Sequence, residues 1–455
     1  MKVKEILDIT KGKLIIGNEN LECENFSKDT RTIQKGDIYI GIKGEKFDGS
    51  QFWSQALDNG ADAVIIENIE IEPKQLEKYS NKTIIKVENT LEALHEIARY
   101  KRNLYNIPVI AVTGSVGKTS TKDVIASVVS TKYKTLKTEG NNNNNIGLPL
   151  TILKLKDHKA MVIEMGMNHF GEISLLTNIA KPTLAVITNV GTSHIGNLGS
   201  RENILKAKLE ILEGMSKPKI IVNNDNDLLH NWAEENKENL EIHTFGIENK
   251  SDLNAENIKI KEDGNEFVAV SENEKIDINI PVGGTHFVYN GLCATKVGQI
   301  LGIPNEKIQQ GIAQFELTKK RMDIRKLENG AILINDAYNA SYESIKPSLE
   351  FLVKYTGTRK IAVLGDIFEL GEFSEELHRK VGQEVAQKNI DILICAGENS
   401  KYIIEEAEKN SNIQTYFMHN NEEIVEKLSQ ELRLGDVILV KASNGMKFFE
   451  ICQKL

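Results

Sequence analysis

Lys118 and Thr119 follow Gly117 in the run Val109-Ile110-Ala111-Val112-Thr113-Gly114-Ser115-Val116-Gly117-Lys118-Thr119. A cation, a hydroxyl and two glycines at this spacing suit a nucleoside triphosphate. Gly114 and Gly117 let backbone N–H groups curl round phosphate oxygens, and a helix N-terminus adds partial positive charge. In such a loop Lys118 reaches the β- and γ-phosphates and the Thr119 hydroxyl is a ligand for Mg²⁺. Val112 stands where GxxxxGK[ST] has its first glycine. The plainer alternative is a Gly-bearing turn with a solvated lysine. The apolar, mostly β-branched run before the loop, the helix-like TKDVIASVVS after it and the adjacent Lys-Thr pair favour phosphate binding.

Other polar residues stand at the ends of apolar runs, where open α/β sheets place their ligands. Glu164 closes MVIEM and suits Mg²⁺ between phosphates, with a helix cap as the even alternative. Asn189 ends LAVITNV, and His194 lies in the loop after it, placed for ligand or phosphate contact. Lys208, in Ala207-Lys208-Leu209-Glu210-Ile211-Leu212, reads by pattern alone as an ordinary helix-surface lysine without chemistry. Asp336 suits a ribose hydroxyl or a metal-bound water, and Asn339 a base or substrate, although both residues also form turns. Lys320-Arg321 precede that strand, and an arginine there suits transferring phosphate charge.

The elements that must position these residues fall into three textures. Up to about Val87, strand-like runs (KLIIG, DIYIGIKG, ADAVIIE, KTIIKV) alternate with turn residues, which predicts a small α/β domain. ENTLEALHEIARYKRN carries Leu91, Leu94, Ile97 and Ala98 at helical spacing and leads into the phosphate-loop strand. From Pro108 to about Leu317, VIAV, AMVIEM, LAVITNV and KIIVNND alternate with helical stretches, predicting a mostly parallel sheet with helices on both faces. Asn249 to Ile280 reads as a charged, short-stranded β-rich excursion of that domain. From Thr318 onward AILINDAYNA, KIAVLGDIF, DILICAG and DVILVKASNG predict a second, Rossmann-like series, without GxGxxG. By composition alone the tract Asn141 to Asn145 is a flexible loop.

At 455 residues the chain exceeds one core, so two or three domains are expected. A net charge of −9 argues against a general nucleic-acid or membrane-surface binder and requires local basic pockets for an anionic substrate. The four cysteines (Cys23, Cys293, Cys395, Cys452) are scattered, as expected of reduced thiols in a cytoplasmic protein and not of a zinc or disulfide frame. MKVKEILDITKGKLIIG is amphipathic and too weakly apolar for a signal peptide, and no window approaches a membrane span.

These pieces, in order along nearly the whole chain, resemble the Mur ligase family, and within it the member that adds D-alanyl-D-alanine. Asp29-Thr30-Arg31, Gly36-Asp37-Ile38-Tyr39-Ile40, Lys43-Gly44-Glu45-Lys46-Phe47-Asp48-Gly49 and Phe52 resemble its UDP-sugar-binding pattern. The family's phosphate loop is TGSxGKT, which accounts for Val112 and implies Thr113, Gly114, Ser115, Gly117, Lys118 and Thr119 as ATP-binding residues. Gly140 to Pro149 resembles GNxNNxIGxP, which makes the Asn tract part of a site, with Asn143 and Asn144 on the substrate. Glu164-Met165-Gly166-Met167-Asn168-His169 resembles the run whose Glu binds Mg²⁺. Asn189 and His194 match N(x)₄H, implying His194 as a ligand of a second Mg²⁺. Lys208 matches the lysine that the family carbamylates; a carbamate is anionic and helps place that metal. Gly284-Thr285-His286 through Asn290 resembles an adenine-contact stretch, with Phe287 in place of its first Asn.

In the last third, Arg321, Asp336, Tyr338-Asn339-Ala340 and Gly365-Asp366-Ile367-Phe368-Glu369-Leu370-Gly371 match the family's signatures, and KGSR appears as Lys441-Ala442-Ser443-Asn444. No DNPR-type segment, the mark of the enzyme adding the third amino acid, is present. The resemblance implies an α/β chain of three domains: UDP-sugar-binding (1–87), a central P-loop-type, mostly parallel sheet binding ATP (88–317) and a C-terminal Rossmann-like ligase domain (318–455). It also implies an ATP-dependent amide ligase of peptidoglycan synthesis. Its substrates would be UDP-N-acetylmuramoyl-tripeptide and D-alanyl-D-alanine, and its cofactors two Mg²⁺ and a carbamylated Lys208. Lys118, Lys208, His194 and Arg321 would be catalytic, Asn290 and Asp336 would contact ATP, and Thr30, Arg31, Lys43, Gly44, Phe47, Asp48, Tyr338 and Asn339 would contact substrate. A cytoplasmic monomer is expected, with no nucleic-acid partner and no membrane insertion.

Overall fold

A computed structural model describes residues 1–44, 47–67, 69–317 and 322–455. Three sheets stand in chain order, each the centre of an α/β domain. The first contains β1 (Lys13–Ile16), β2 (Asn25–Ser27), β3 (Asp37–Ile40), β4 (Ala63–Ile66) and β5 (Thr83–Lys86), in the order β1-β5-β4-β3-β2. All neighbours are parallel except β1 with β5. The inner strands β3, β4 and β5 are mostly apolar because both faces are covered. Ile38, Ile40, Ala63 and Ile65 face one buried cluster, and Tyr39, Val64 and Ile66 face a second one with Trp53.

The helix Thr90–Asn103 joins this unit to the next. The Asn89 side chain caps it by accepting from Leu91 and Glu92 N–H, and Leu94, Ile97 and Ala98 are buried as the spacing predicts. Buried Arg102 donates to the carbonyls of Ala180, Tyr105 and Lys181 (2.7, 2.6 and 3.1 Å), fixing the helix end to the central domain.

The central sheet has nine strands: β6 (Val109–Thr113), β7 (Thr135–Lys137), β8 (Ala160–Glu164), β9 (Leu184–Ile187), β10 (Lys219–Asn223), β11 (Glu241–Gly246), β12 (Leu253–Ile260), β13 (Asn265–Val270) and β14 (Lys275–Ile280). Its order is β14-β13-β12-β11-β10-β9-β6-β8-β7. The chain passes from β8 to β9 across β6, so the strand order reverses there and leaves a crevice at the carboxyl ends. The segment read as a short-stranded excursion is instead an antiparallel extension of this sheet, its strands up to eight residues long. Alternating KIDINI buries Ile276, Ile278 and Ile280 on one face.

The third sheet contains β15 (Asp323–Lys326), β16 (Ile332–Asn335), β17 (Lys360–Gly365), β18 (Ile392–Ala396), β19 (Gln414–Met418) and β20 (Val437–Lys441), in the order β15-β16-β20-β17-β18-β19. Only β15 runs antiparallel to its neighbour. The short β2 and β7, along with β11, β15 and β19, lack the apolar runs that marked the other strands; all but β11 sit at sheet edges. No described helix is long and apolar enough to cross a membrane.

Candidate active site

The phosphate loop begins two residues later than the GxxxxGK pattern requires, at Gly114. Val112 is a fully buried strand residue paired with Glu164, and β6 continues to Thr113. A Cβ on Gly114 would lie 1.9 Å from Thr188 Oγ1, so only glycine fits there. Gly117, at φ 79°, takes the left-handed conformation at the N-cap of the helix Lys118–Ser130. Asn189 staples the loop: Val116 N–H donates to its Oδ1 (3.0 Å), its Nδ2 donates to Val116 O (3.2 Å), and Ser115 N–H donates to its carbonyl (3.0 Å). Lys118 Nζ turns back to donate to Gly114 O (2.8 Å) and Ser115 O (3.2 Å).

Glu164, 2 % exposed, accepts from Thr119 Oγ1 (2.8 Å) on one oxygen and from Asn143 Nδ2 (2.7 Å) on the other. Among the described residues no cation pairs with this buried carboxylate. The Thr119 hydroxyl and the Glu164 carboxylate at one point suit a hard divalent cation. No cluster of three His, Cys, Asp or Glu is found among the described residues. A Mg²⁺ would thus depend on substrate phosphates and water for its remaining ligands, as Mg²⁺ sites commonly do.

The Asn tract is a loop, as its composition predicts, but one tied down by Asn143 and Asn144. Asn144 Oδ1 accepts from Gly147 N–H (2.8 Å) and caps the helix Gly147–Leu153, and His95 Nε2 donates to Asn145 O (2.7 Å). Lys208 also departs from its surface reading, being 1 % exposed. The helix Arg201–Leu209 turns Ile204, Ala207 and Lys208 inward, the i, i+3, i+4 face that a helix buries. Burial, and then the Lys118 ammonium, push its amine far below the usual lysine range. Among the described residues its Nζ has no hydrogen-bond or ion-pair partner. A neutral, unpartnered amine is the form that reacts with CO₂, so the residue fits carbamylation.

His194 Nδ1 donates to the Glu369 carboxylate of the C-terminal domain. In the adenine-contact stretch Asn290 Oδ1 accepts from Thr121 Oγ1 (2.8 Å), while its buried Nδ2 has no acceptor among the described residues. That orphaned donor suits a ring nitrogen of a base. Burial pushes the neighbouring His286 down to about 4. Phe287 is buried against His286 and Phe315, with ring centroids 4.3 and 6.3 Å away.

Opposite the phosphate loop, Asp336 is held by Lys441 Nζ (2.6 Å) and Ser348 Oγ (2.8 Å). Lys441 also donates to Asn339 O (3.0 Å), and Asn444, where the family pattern has arginine, donates to Tyr338 O (2.9 Å) and Asn339 Oδ1 (3.3 Å). Glu343 was not singled out from sequence, and Lys441 entered only as the first residue of the KGSR match, with no role. Lys441 ends β20 inside a run shared with other strands, and Glu343 reads as an ordinary acid in a helix's first turn.

Ser115, Gly117, Lys118, Thr119, Asn143, Asn144, Glu164, His194, Asn290, Asp336, Tyr338 and Asn339 line one cleft of about 950 Å³ between the central and C-terminal domains. Thr113, Gly114 and Lys208 lie behind its surface. Thr30, Arg31, Lys43, Gly44, Phe47 and Asp48 line no part of it. They gather on the first domain, where Arg31 pairs with Asp29 (2.6 Å), Gly44 N–H donates to Phe47 O (3.0 Å), Asp48 caps Ser50 N–H (2.9 Å), and exposed Phe47 packs edge-on against Phe52. Arg321, with Glu45, Lys46 and Lys320, lies outside the described residues.

Three family descriptions match the chain in order: "Mur ligase family, catalytic domain" over residues 24–102, "Mur ligase middle domain" over 112–298, and "Mur ligase, glutamate ligase domain" over 320–444. The UDP-N-acetylmuramoyl-tripeptide–D-alanyl-D-alanine ligase of Bacillus subtilis is 36 % identical over 100 % of this chain and 98 % of its own. The crystal structure of MurF from Acinetobacter baumannii superposes with a TM-score of 0.89 at 28 % identity, covering 100 % and 98 % of the two chains. MurF ligase from Thermotoga maritima, in complex with ADP, gives 0.82 at 27 % identity over 96 % and 98 %. With an uninterrupted match from the first sheet to the third and the phosphate loop at its centre, this chain belongs to the Mur ligase family.

Proposed function

We propose that this protein joins the amine of D-alanyl-D-alanine to the terminal carboxylate of UDP-N-acetylmuramoyl-tripeptide, using ATP, in the cytoplasmic assembly of peptidoglycan. The observation that carries this reading is the interdomain cleft, in which the phosphate loop and Glu164 face Asp336 and Asn339. The relatives act on these substrates by name, and one holds ADP. Residues 1–87 would bind the UDP-sugar through Thr30, Arg31, Lys43, Gly44, Phe47 and Asp48, residues 88–317 ATP, and residues 318–455 would complete the ligase site.

A carboxylate is a poor electrophile until it is phosphorylated. Its oxygen takes the γ-phosphoryl group and ADP leaves; the dipeptide amine then attacks the acyl carbon, forming the C–N bond and a tetrahedral intermediate, which loses a proton from nitrogen and expels phosphate as the C=O bond is restored. Loop N–H groups from Gly114 to Thr119 cradle the phosphates, and Lys118, swung from its own carbonyls, meets the transferring charge. Thr119 and Glu164 would hold one Mg²⁺, and His194 with carbamylated Lys208 the second. Bound Mg²⁺ neutralises charge on the phosphates. Asn290 contacts the base, Asp336 and Arg321 the nucleotide, and Asn143, Asn144, Tyr338 and Asn339 the substrate. Closure of the two domains excludes water from the acyl phosphate.

The test is phosphate release from ATP with purified UDP-N-acetylmuramoyl-tripeptide, varying the dipeptide. Release is expected to rise and saturate with D-alanyl-D-alanine. Release that ignores its omission would overturn the ligase reading.

A further inference from the structure

The C-terminal domain meets the central domain at Glu262, which accepts from Thr356 N–H, at Gly283, beside Phe351, and along the stretch 191–196 next to the phosphate loop. Glu343 accepts from Thr192 N–H (2.6 Å) and Thr192 Oγ1 (3.2 Å). Glu369 makes two contacts: its carbonyl accepts from Gly196 N–H (3.0 Å), and its carboxylate accepts from His194 Nδ1. Beside these contacts the backbones touch. A Cβ on Gly196 would lie 2.6 Å from Gly371 N, 2.7 Å from Leu370 C and 2.8 Å from Glu369 O. All three are backbone atoms, so no rotamer change relieves the clash. From the other side, a Cβ on Gly371 would lie 3.0 Å from Gly196 Cα.

His194 and Glu369, the residues that meet, are also both strained. Their φ values of 66° and 63° place them among the few non-glycine residues in the left-handed region. Such a conformation costs roughly 1–3 kcal/mol and persists where surrounding contacts impose it. Here the strained residues face each other across the domain boundary.

We propose that Gly196, Glu369 and Gly371 are positioning residues for His194: seating Gly371 on Gly196 brings the Glu369 carboxylate to Nδ1 and orients the ring. The inference rests on the ligase reading and deepens it. An imidazole whose Nδ1–H is given to a carboxylate presents Nε2 as its lone-pair nitrogen. With Gly371 off Gly196 the Glu369 carboxylate is withdrawn from Nδ1, and the ring loses that orienting bond. Domain closure and completion of the catalytic cleft thereby become one event, which withholds phosphoryl transfer until water is excluded.

Three variants of the full chain test this: Gly196→Ala, Glu369→Ala and Glu369→Gln. Gly196→Ala sits in a helical turn that accepts alanine, so its thermal midpoint should match wild type. With ADP and Mg²⁺ its small-angle scattering should stay that of an open molecule while wild type approaches the arrangement in which Gly371 seats on Gly196. Its kcat should fall about 100-fold, as misplacement by an ångström commonly causes. Glu369→Ala should lose about 10–100-fold in kcat, and Glu369→Gln, whose amide oxygen still accepts from Nδ1, should recover most of it.

A Gly196→Ala protein that compacts like wild type, a wild type that never compacts, or a Glu369→Gln no better than Glu369→Ala would overturn the proposal. Wild-type phosphate release that is independent of the dipeptide would instead sink the ligase reading, and the scattering comparison would still decide the contact.

Discussion

Lys208 is the residue whose chemistry depends most on its surroundings. A lysine in water is a cation and a poor partner for CO₂. Burial, and then the Lys118 ammonium, push its amine well below the usual lysine range, toward the neutral form that is nucleophilic. Lys208→Ala should lower kcat about 100-fold, and formate or acetate, filling the carbamate's place, should restore part of it in a phosphate-release assay. Full activity of the variant would remove the residue from the mechanism. The inward spacing of Ile204, Ala207 and Lys208 was present in the sequence, but a lysine on an apolar face reads as an exception until the face is seen to be buried.

At the scale of elements, the phosphate loop is shaped by the end of β9 as much as by its own glycines. Asn189→Ala removes both side-chain bonds to Val116 and leaves its N–H unmatched, while its carbonyl still accepts from Thr188 Oγ1 (2.6 Å). Unfolding in denaturant should show a loss of about 1–3 kcal/mol, and ADP binding measured by calorimetry should weaken with it. Unchanged affinity would mean the glycines alone set the loop. Strand existence was legible wherever a strand was apolar throughout, as in β6, β8, β16 and β20. Edge strands such as β2 and β19 were not, because one partner and partial burial leave no distinctive run.

At the scale of the molecule, neutral histidines tie domain structure to pH. Buried His378 donates from Nδ1 to Ser374 O (2.7 Å) and accepts from Ile367 N–H at Nε2 (3.0 Å), in the segment that carries Glu369. Burial lowers the pKa values of His378 and His95, and pushes His286 down to about 4. Each folded value lies below that of the unfolded chain, near 6.5, so acid adds protons to the unfolded state first. The stability these groups contribute is present above pH 6.5 and is lost as pH falls toward 4. Denaturation midpoints should therefore drop across that window, and His378→Gln should flatten part of the drop. A midpoint independent of pH between 7 and 4.5 would contradict this account.

The sequence by itself determined the strands that are buried on both faces, the helix leading into β6, the phosphate loop and the family. All of these depend on local runs and spacings that survive in one dimension. It also carried the residues later found in one cleft, yet not their meeting. Only the tertiary structure decided that Glu164 lies beside Thr119 and Asn143, that Lys208 is buried, that the Asn tract caps a helix, and that His194 faces Glu369. Those facts depend on strand order, register and domain seating, which bring together residues as much as 175 positions apart, and no window of sequence encodes them. Val112 shows both sides: the family pattern accounted for the missing glycine, and the pairing with Glu164 supplied its physical reason, since that position belongs to the strand and the loop begins after it.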